Sequence, residues 1–248
     1  MKAVILAAGE GKRLQPLTST RSKHMIPIAG KPILEHLLLA VKESGVKDIL
    51  IITSYCEDLI RNHFGDGSGL GLNLDYSHQE KPLGSAHAIG LAEEYMKDSN
   101  FLVMYGDLLV DASVIKSTIK KHMEEGTPIL CVVPVEKPQE YGIVILSEDR
   151  VMEVLEKPES KAYGNLANAG VYVFTKEVFN EIKKTPKSPR GEIEITDTIQ
   201  GMLRRDFEIT SNTIRPEDWM DIGRPWDLLD ANMRVLGRLC LDIRGEVE

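Results

Sequence analysis

The 248-residue sequence is poor in cysteine, and the three it has, Cys56, Cys131 and Cys240, lie far apart with no C-x-x-C pair. That excludes a disulfide framework and a zinc site built on such pairs. Cys131 falls inside Ile129-Leu130-Cys131-Val132-Val133, an apolar run typical of a buried strand, so a core thiol is expected there. No apolar stretch approaches the ~20 residues of a membrane-spanning helix. The run after Met1-Lys2 is too short for the apolar part of a secretion signal. A cytoplasmic protein with no membrane partner is therefore expected. Excess positive charge is also missing, since 30 Lys and Arg face 38 Asp and Glu for a net charge of −8. Nucleic-acid binding normally rests on basic surface, so no nucleic-acid partner is expected. A local basic pocket for a small polyphosphate remains compatible with that balance.

What is present is an alternation of strand and helix patterns. Apolar residues at Ile33, Leu34, Leu37, Leu38 and Val41 mark a helix that Gly45 terminates. Asp48 to Thr53 reads as a strand covered on both faces, Glu57 to Phe64 as a helix, and Leu72 to Ser77 as a strand. Ser85 is placed to cap a helix running to Met96, and Phe101 to Tyr105 is a further strand. Asp111 caps a helix with Val114, Ile115, Ile119 and Met123 on one face. Beyond it, Tyr141 to Leu146 and Val151 to Glu156 read as paired short strands, and Ala167 to Phe174 as another strand. Glu194 to Leu203 and Trp226 to Leu239 read as helices. Alternation of this kind predicts an α/β fold, a Rossmann-like, mainly parallel sheet flanked by helices with right-handed crossovers. A small antiparallel insertion over about residues 136 to 170 completes the expected single domain. Ligands of such sheets bind at the carboxyl ends of the strands, where Gly9, Gly11 and Gly106-Asp107 all fall.

The opening segment, Ala3-Val4-Ile5-Leu6 running into Ala7-Ala8-Gly9-Glu10-Gly11-Lys12-Arg13, has the form of a strand delivering a glycine loop to an anion. A dinucleotide fingerprint would require a third glycine where Leu14 stands. A Walker A loop would require a glycine at Leu6 and Ser or Thr at Arg13. Neither motif is present. What remains is a glycine loop followed by Lys12 and Arg13, with Lys23 ten residues later; a solvated surface turn is the bland alternative.

The wider pattern is more specific. Gly9-Glu10-Gly11-Lys12-Arg13-Leu14-x-Pro16-Leu17-Thr18 and Lys23-His24-Met25-Ile26-Pro27 are followed, in order, by Pro82-Leu83-Gly84-Ser85-Ala86-His87-Ala88, Tyr105-Gly106-Asp107 and Tyr141-Gly142. Then come Glu156-Lys157-Pro158, Asn168-Ala169-Gly170-Val171-Tyr172, Gly191 to Asp197 and Asp221-Ile222-Gly223. Together these segments resemble the sugar-1-phosphate nucleotidylyltransferases along almost the whole chain. The resemblance implies the nucleotide-diphospho-sugar transferase fold. Residues up to about 135 would bind the nucleotide, and about 136 to 248 would form the sugar-phosphate part and a C-terminal helix.

In that family a sugar-1-phosphate oxygen attacks the α-phosphorus of a nucleoside triphosphate and releases pyrophosphate. Two anionic partners must be brought together, so the work is positioning and charge neutralisation. By resemblance, Leu6, Ala8, Gly9, Gly11, Lys12 and Arg13 hold the nucleotide, Arg13 neutralises the leaving pyrophosphate, and Lys23 contacts the reacting phosphates. Lys12 stands where the family often has threonine. Mg²⁺ is the implied cofactor, with Asp107 and Asp221 as its carboxylates and Gly106 and Gly223 leaving room around them. Glu156 and Lys157 would take a sugar hydroxyl and the sugar phosphate, with Gly142, Asn168 and Tyr172 lining the sugar. Neighbouring strand residues face opposite ways, so sharing one site demands a strand end or bulge, with Pro158 holding Lys157 extended.

Base recognition is expected over Gln79, Pro82, Gly84 and Ser85. A primary amide both donates and accepts, matching the O4 and N3–H edge of uracil or thymine. Asp221-Ile222-Gly223 resembles the thymidylyl-transferring, glucose-directed members, whereas Gly84-Ser85-Ala86-His87 resembles the N-acetylglucosamine-1-phosphate uridylyltransferases. Glucose-1-phosphate with dTTP or UTP is the leading expectation, and guanylyl transfer to mannose-1-phosphate is a further alternative. A non-catalytic regulatory relative is the remaining one, and the presence of Arg13, Lys23, Asp107, Lys157 and Asp221 weighs against it. The other histidines show no metal-ligand spacing, and packing or surface roles are expected for them. Trp219 and Trp226 are expected as core or pocket-wall aromatics. Leu228, Leu229, Val235, Leu236 and Leu239 form a stripe that packs on the sheet or on a second subunit of a homo-oligomer. Only about twenty-five residues follow Gly223, too few for the hexapeptide-repeat acyltransferase domain of many relatives, so no acetyltransferase activity is expected.

Overall fold

The computed structural model describes residues 1–97, 99–158 and 163–238. The first strand, β1 (Lys2–Ala7), is followed by a short hairpin, β2 (Pro27–Ile28) and β3 (Lys31–Pro32), then β4 (Asp48–Thr53), β5 (Asn73–His78) and β6 (Phe101–Tyr105). The later strands are β7 (Leu108–Val110), β8 (Ile129–Pro134), β9 (Gly142–Ser147), β10 (Arg150–Glu156), β11 (Leu166–Phe174), β12 (Thr210–Thr213) and β13 (Trp219–Asp221). Among the described residues nine of these form one sheet in the order β5-β4-β1-β6-β11-β8-β12-β10-β9. The half that holds β5, β4, β1 and β6 is parallel. Beyond it β11 runs antiparallel to both β6 and β8, and β9 and β10 pair antiparallel at the far edge. The chain turns back at β1, with β4 on one side and β6 on the other, so the loops after β1 and β6 open a crevice at their carboxyl ends.

Helices α1 (Ile33–Glu43), α2 (Glu57–Phe64) and α5 (Ala112–Glu125) accompany the first half. The single helix expected from Ala86 to Met96 is two pieces, α3 (Ser85–Gly90) and α4 (Glu93–Met96), separated after Gly90, a poor helix residue. Ser85 is not its side-chain cap, because Gly84 occupies that position and the Ser85 hydroxyl accepts from the Ile195 amide at 3.0 Å. Asp111 does cap α5, accepting from the Ser113 amide. Met123, expected on the inner face of α5, is 73% exposed. The inward position is taken by His122, which bonds the Thr127 carbonyl at 2.7 Å and Asn100 at 2.9 Å.

Helix α6 (Glu177–Ile182) and strands β12 and β13 carry too little periodic signal for the sequence to reveal them. Helix α7 (Ile195–Leu203), with Glu194 at its N-cap, falls where expected, and α8 (Pro225–Leu236) closes the described chain. Leu239 and Cys240 lie outside the described residues.

Two apolar clusters cover the faces of the large sheet, one around Ile5, Leu37 and Ile51, the other around Val4, Phe101 and Tyr172. A third, smaller cluster matters more for function. It joins Leu14 behind the glycine loop, Ile26 and Ile28, Ile33 of α1, Leu109 of β7, Ile222 after β13 and Ala231 of α8. Each such large side chain contributes about 1.5–3 kcal/mol on burial, so segments from both ends of the chain are held together here. Helix α8 packs on this cluster through Leu228 and Val235 and bonds the hairpin, Asn232 Oδ1 accepting from the Ala29 amide at 2.7 Å. Leu229 and Leu236 of the expected stripe point outward. Trp226, 57% exposed, is no core residue but does line a second, smaller cavity beside Arg13 and Asp221.

Candidate active site

The loop after β1 leaves the sheet at Ala8 and turns at Gly11, whose φ of 69° is left-handed. A Cβ at Gly11 would stand 2.8 Å from the Lys23 Cβ, so the loop and Lys23 are packed against each other. Arg13 follows on a 3₁₀ turn, Lys12–Leu14, anchored by buried Leu14. Lys23 pairs with Asp107, which the turn after β6 supplies.

Asp221 arrives from the other end of the chain. Strand β13 pairs antiparallel with β7, setting Asp221 opposite Leu108, and the Ile222 amide donates to the Asp107 carbonyl at 3.0 Å. Two carboxylates distant in sequence thus share one corner. Their electrostatics diverge. Burial alone would raise both. At Asp107 the charge and hydrogen bond of the Lys23 ammonium outweigh burial and hold the carboxyl below the usual carboxylate range. Asp221, buried and facing the Asp107 charge, is pushed up to about 7. A corner that penalises its second negative charge in this way suits an added cation.

Gly223 packs close to Arg13; a Cβ there would stand 2.9 Å from Arg13 Nη2 and 3.5 Å from Asp221 Oδ2. At Gly106 it would meet the Leu6 carbonyl at 2.8 Å and the His24 ring at 3.0 Å. Both glycines therefore make room for neighbouring protein groups, and Gly223 also lines the cavity. His24 itself is buried, bonded to Ser22 Oγ at 2.8 Å, and kept neutral by burial and by the Lys23 charge, which lower it to about 3.

At the opposite wall, β10 ends at Glu156 and Lys157 takes φ 44°, a left-handed conformation uncommon for lysine. Pro158 therefore does not hold Lys157 extended; the reversal of the backbone at the strand end lets both side chains face the cavity. Arg190 Nη2 joins the group, 3.0 Å from Glu156 Oε1 and 2.9 Å from Glu194 Oε1. Burial pushes Glu194 up to about 7, with Arg190 opposing and the Glu156 charge reinforcing. Thr196 Oγ1 donates to Glu156 Oε2 at 3.2 Å.

These groups surround one open cavity of about 520 Å³. Its lining includes Leu6, Ala8, Gly9, Gly11, Lys12, Arg13, Lys23, Gln79, Pro82, Gly84, Ser85, Asp107, Gly142, Glu156, Lys157, Asn168 and Asp221. Tyr172 is the exception: it is fully buried behind Tyr105, their hydroxyls 3.4 Å apart, and does not reach the cavity. β11 carries Asn168 and Tyr172 on the same face by alternation, but the cavity meets only the start of the strand. Lys12 stands at the mouth, 3.2 Å from Glu10 and largely exposed. Trp219 is a pocket wall, its indole N–H bonded to the Ala169 carbonyl at 2.7 Å. Sequence reasoning missed Arg190 and Glu194; His24 has the packing role expected of it and also borders the cavity. Arg190 precedes the Gly191 to Asp197 motif and could have been found as the one cation beside it.

The profile of the nucleotidyl transferase family matches residues 2–238. The chain belongs to the nucleotidyl transferase family. It is 37% identical over its whole length to the low-salt glycan biosynthesis nucleotidyltransferase Agl11 of Haloferax volcanii, of which it covers 69%. It is also 37% identical to the bifunctional protein GlmU of Methanocaldococcus jannaschii, of which it spans 57%. A glucose-1-phosphate thymidylyltransferase of Streptomyces griseus is 33% identical over 95% of this chain. A solved Bacillus anthracis structure, with a proposed assignment as a glucose-1-phosphate thymidylyltransferase, superposes with a TM-score of 0.86 at 30% identity, covering 100% of this chain and 98% of its own. The fold expected from the sequence is thus the fold of this family. Among the described residues no helix is long and apolar enough to cross a membrane.

Proposed function

We propose that this nucleotidyl transferase joins a nucleoside triphosphate, dTTP or UTP, to a sugar-1-phosphate, foremost glucose-1-phosphate, giving an NDP-sugar and pyrophosphate. The observation that carries the reading is one cavity with three charge groups: Arg13 and Lys23 on the loop side, the Asp107–Asp221 pair in the corner, and Glu156, Lys157 and Arg190 on the far wall. The triphosphate lies along the glycine loop, with Arg13 set to meet the charge that develops on the leaving pyrophosphate. Lys157 and Arg190 hold the sugar phosphate, and their two positive charges offset its repulsion by the triphosphate. Glu156, fixed by Arg190 and Thr196, accepts from a sugar hydroxyl. Lys23 neutralises Asp107 and, a lysine's reach away, the α-phosphate oxygens.

Asp107 and Asp221 fit Mg²⁺, a hard cation satisfied by one or two carboxylates together with phosphate oxygens and water. When bound there it would polarise the phosphoryl oxygens and screen the two substrates from each other. A second reading, uridylyl transfer to N-acetylglucosamine-1-phosphate, draws on the Gly84-Ser85-Ala86-His87 segment and on GlmU at the same identity as Agl11. Pyrophosphate release with Mg²⁺, screened over the common nucleoside triphosphates against glucose-, N-acetylglucosamine- and mannose-1-phosphate, tests the proposal. Turnover with dTTP or UTP and glucose-1-phosphate is expected; no turnover with any pair would refute it.

A further inference from the structure

Gln79 is buried just after the end of β5, its main-chain N–H donating to the Thr53 carbonyl at 2.7 Å. Its side chain has two acceptors beside the amide nitrogen: the Gly84 carbonyl at 3.2 Å and His87 Nδ1 at 2.9 Å. A backbone carbonyl can only accept, so the atom facing Gly84 is the NH₂ group and the orientation of the amide follows. That nitrogen has only donors to offer, so His87 Nδ1 must be the bare ring nitrogen and the proton must sit on Nε2. Both amide protons are then committed to protein. Among the described residues no donor meets Gln79 Oε1, and Gln79 lines the cavity.

We infer that His87, which does not line the cavity, locks the Gln79 amide as a pure acceptor toward the base and so selects triphosphates whose base carries an imino N–H. The inference rests on the reading of Gln79 as the base-contacting residue and narrows it: the amide does not both donate and accept there. Uracil and thymine present N3–H to such an acceptor, as guanine presents N1–H. Cytosine N3 and adenine N1 would set lone pair against lone pair. A flipped amide would face the Gly84 carbonyl with its own oxygen and leave buried groups unsatisfied.

The acceptors are themselves held. Gly84 has φ 102°, and a Cβ there would stand 2.5 Å from the Ile193 carbonyl. The Ile193 amide donates to Leu83 and the Ala86 amide to Ile193 on either side of it. The α3 turn that carries His87 is thereby fixed relative to β5. His87 acts through Gln79 and is a positioning residue.

Two measurements test the lock. In wild-type protein, ¹⁵N shifts of His87 at pH 8 should show the Nε2–H tautomer; protonation on Nδ1 would overturn the inference whatever the activity. In steady-state kinetics, His87→Leu should lower the UTP-over-CTP (or dTTP-over-CTP) ratio of kcat/KM by about 3- to 10-fold, the size of one lost hydrogen bond. That loss should fall on KM for the triphosphate and leave KM for the sugar phosphate in place. His87→Gln, which returns a carbonyl acceptor, should recover most of the ratio. Equal losses for UTP and CTP in His87→Leu, or an unchanged ratio, would refute the lock while leaving the transferase reading intact. No turnover with any pair would refute the transferase reading instead, and the tautomer measurement would then decide the lock alone.

Discussion

Gly223→Ala separates charge placement from stability better than any change to a charged residue. Gly223 shows no left-handed φ, so alanine brings no backbone strain of that kind. Its Cβ would nevertheless stand 2.9 Å from Arg13 Nη2 and 3.3 Å from Arg13 Cζ, both inside ordinary contact distance. The atoms that must yield are the far end of a flexible side chain, so the fold adjusts at low cost, within about 1 kcal/mol. The guanidinium, however, is moved from the place where pyrophosphate charge develops. A charge-assisted hydrogen bond is worth about 1.5–3 kcal/mol, and about 1.4 kcal/mol is a factor of ten. The expected loss in kcat/KM is therefore about 10- to 150-fold, with thermal unfolding almost unchanged. The loss should vanish in an Arg13→Ala background, because the two changes act on one group. Continuous pyrophosphate detection gives kcat/KM for both single variants and the double. Wild-type activity in Gly223→Ala, or a full additional loss on top of Arg13→Ala, would refute the argument that this glycine exists to seat Arg13.

Three further changes probe the remaining charges. Asp221 is raised from 3.8 to about 7 by burial and the Asp107 charge, so the folded protein binds a proton that the unfolded chain releases. Without Mg²⁺, this group's contribution is fully present below about pH 4 and is lost as pH rises toward 7; Asp221→Asn should flatten that fall in melting temperature while cutting turnover at least about 100-fold. A wild-type-like pH profile of stability in Asp221→Asn would count against the assignment. Asp107→Asn should nearly abolish turnover with the fold intact by circular dichroism, and near-normal turnover would remove Asp107 from the reacting corner. Arg190→Ala leaves Glu156 and Glu194 facing each other without their shared cation. It should raise KM for the sugar phosphate about tenfold or more and steepen the loss of stability as pH rises from about 4.5 through 7; an unchanged KM would refute its role at the sugar end.

The strand and helix patterns of the first half were legible because each element has a continuous or periodic apolar run, as at Asp48–Thr53 and Ile33–Glu43. The hairpin Tyr141–Glu156 was legible for the same reason. Elements of three or four residues, β12 and β13, carry no such period, yet β13 brings Asp221 to Asp107. Tyr172 was misplaced because alternation gives a face of a strand, not how far along it a cavity extends. Met123 failed because a helical stripe does not say which turn still touches the core.

By itself the sequence determined the chemistry on offer: a glycine loop with cations, two isolated aspartates, a Glu-Lys pair and a Gln before a glycine turn, in an order that resembles one family. Local composition dictates such things, since glycine loops, strand ends and caps depend on neighbours in the chain. Only the tertiary structure decided which charges face one another. Asp221 meets Asp107 through a strand pairing, Arg190 couples Glu156 to Glu194, and Gly223 packs against Arg13. It also decided which way Gln79 points, because the two acceptors that hold its amide lie five and eight residues further on, in a turn and helix fixed by the Ile193 backbone. Charge pairing and amide orientation depend on distances of a few ångströms across the fold, and sequence spacing carries no such distance.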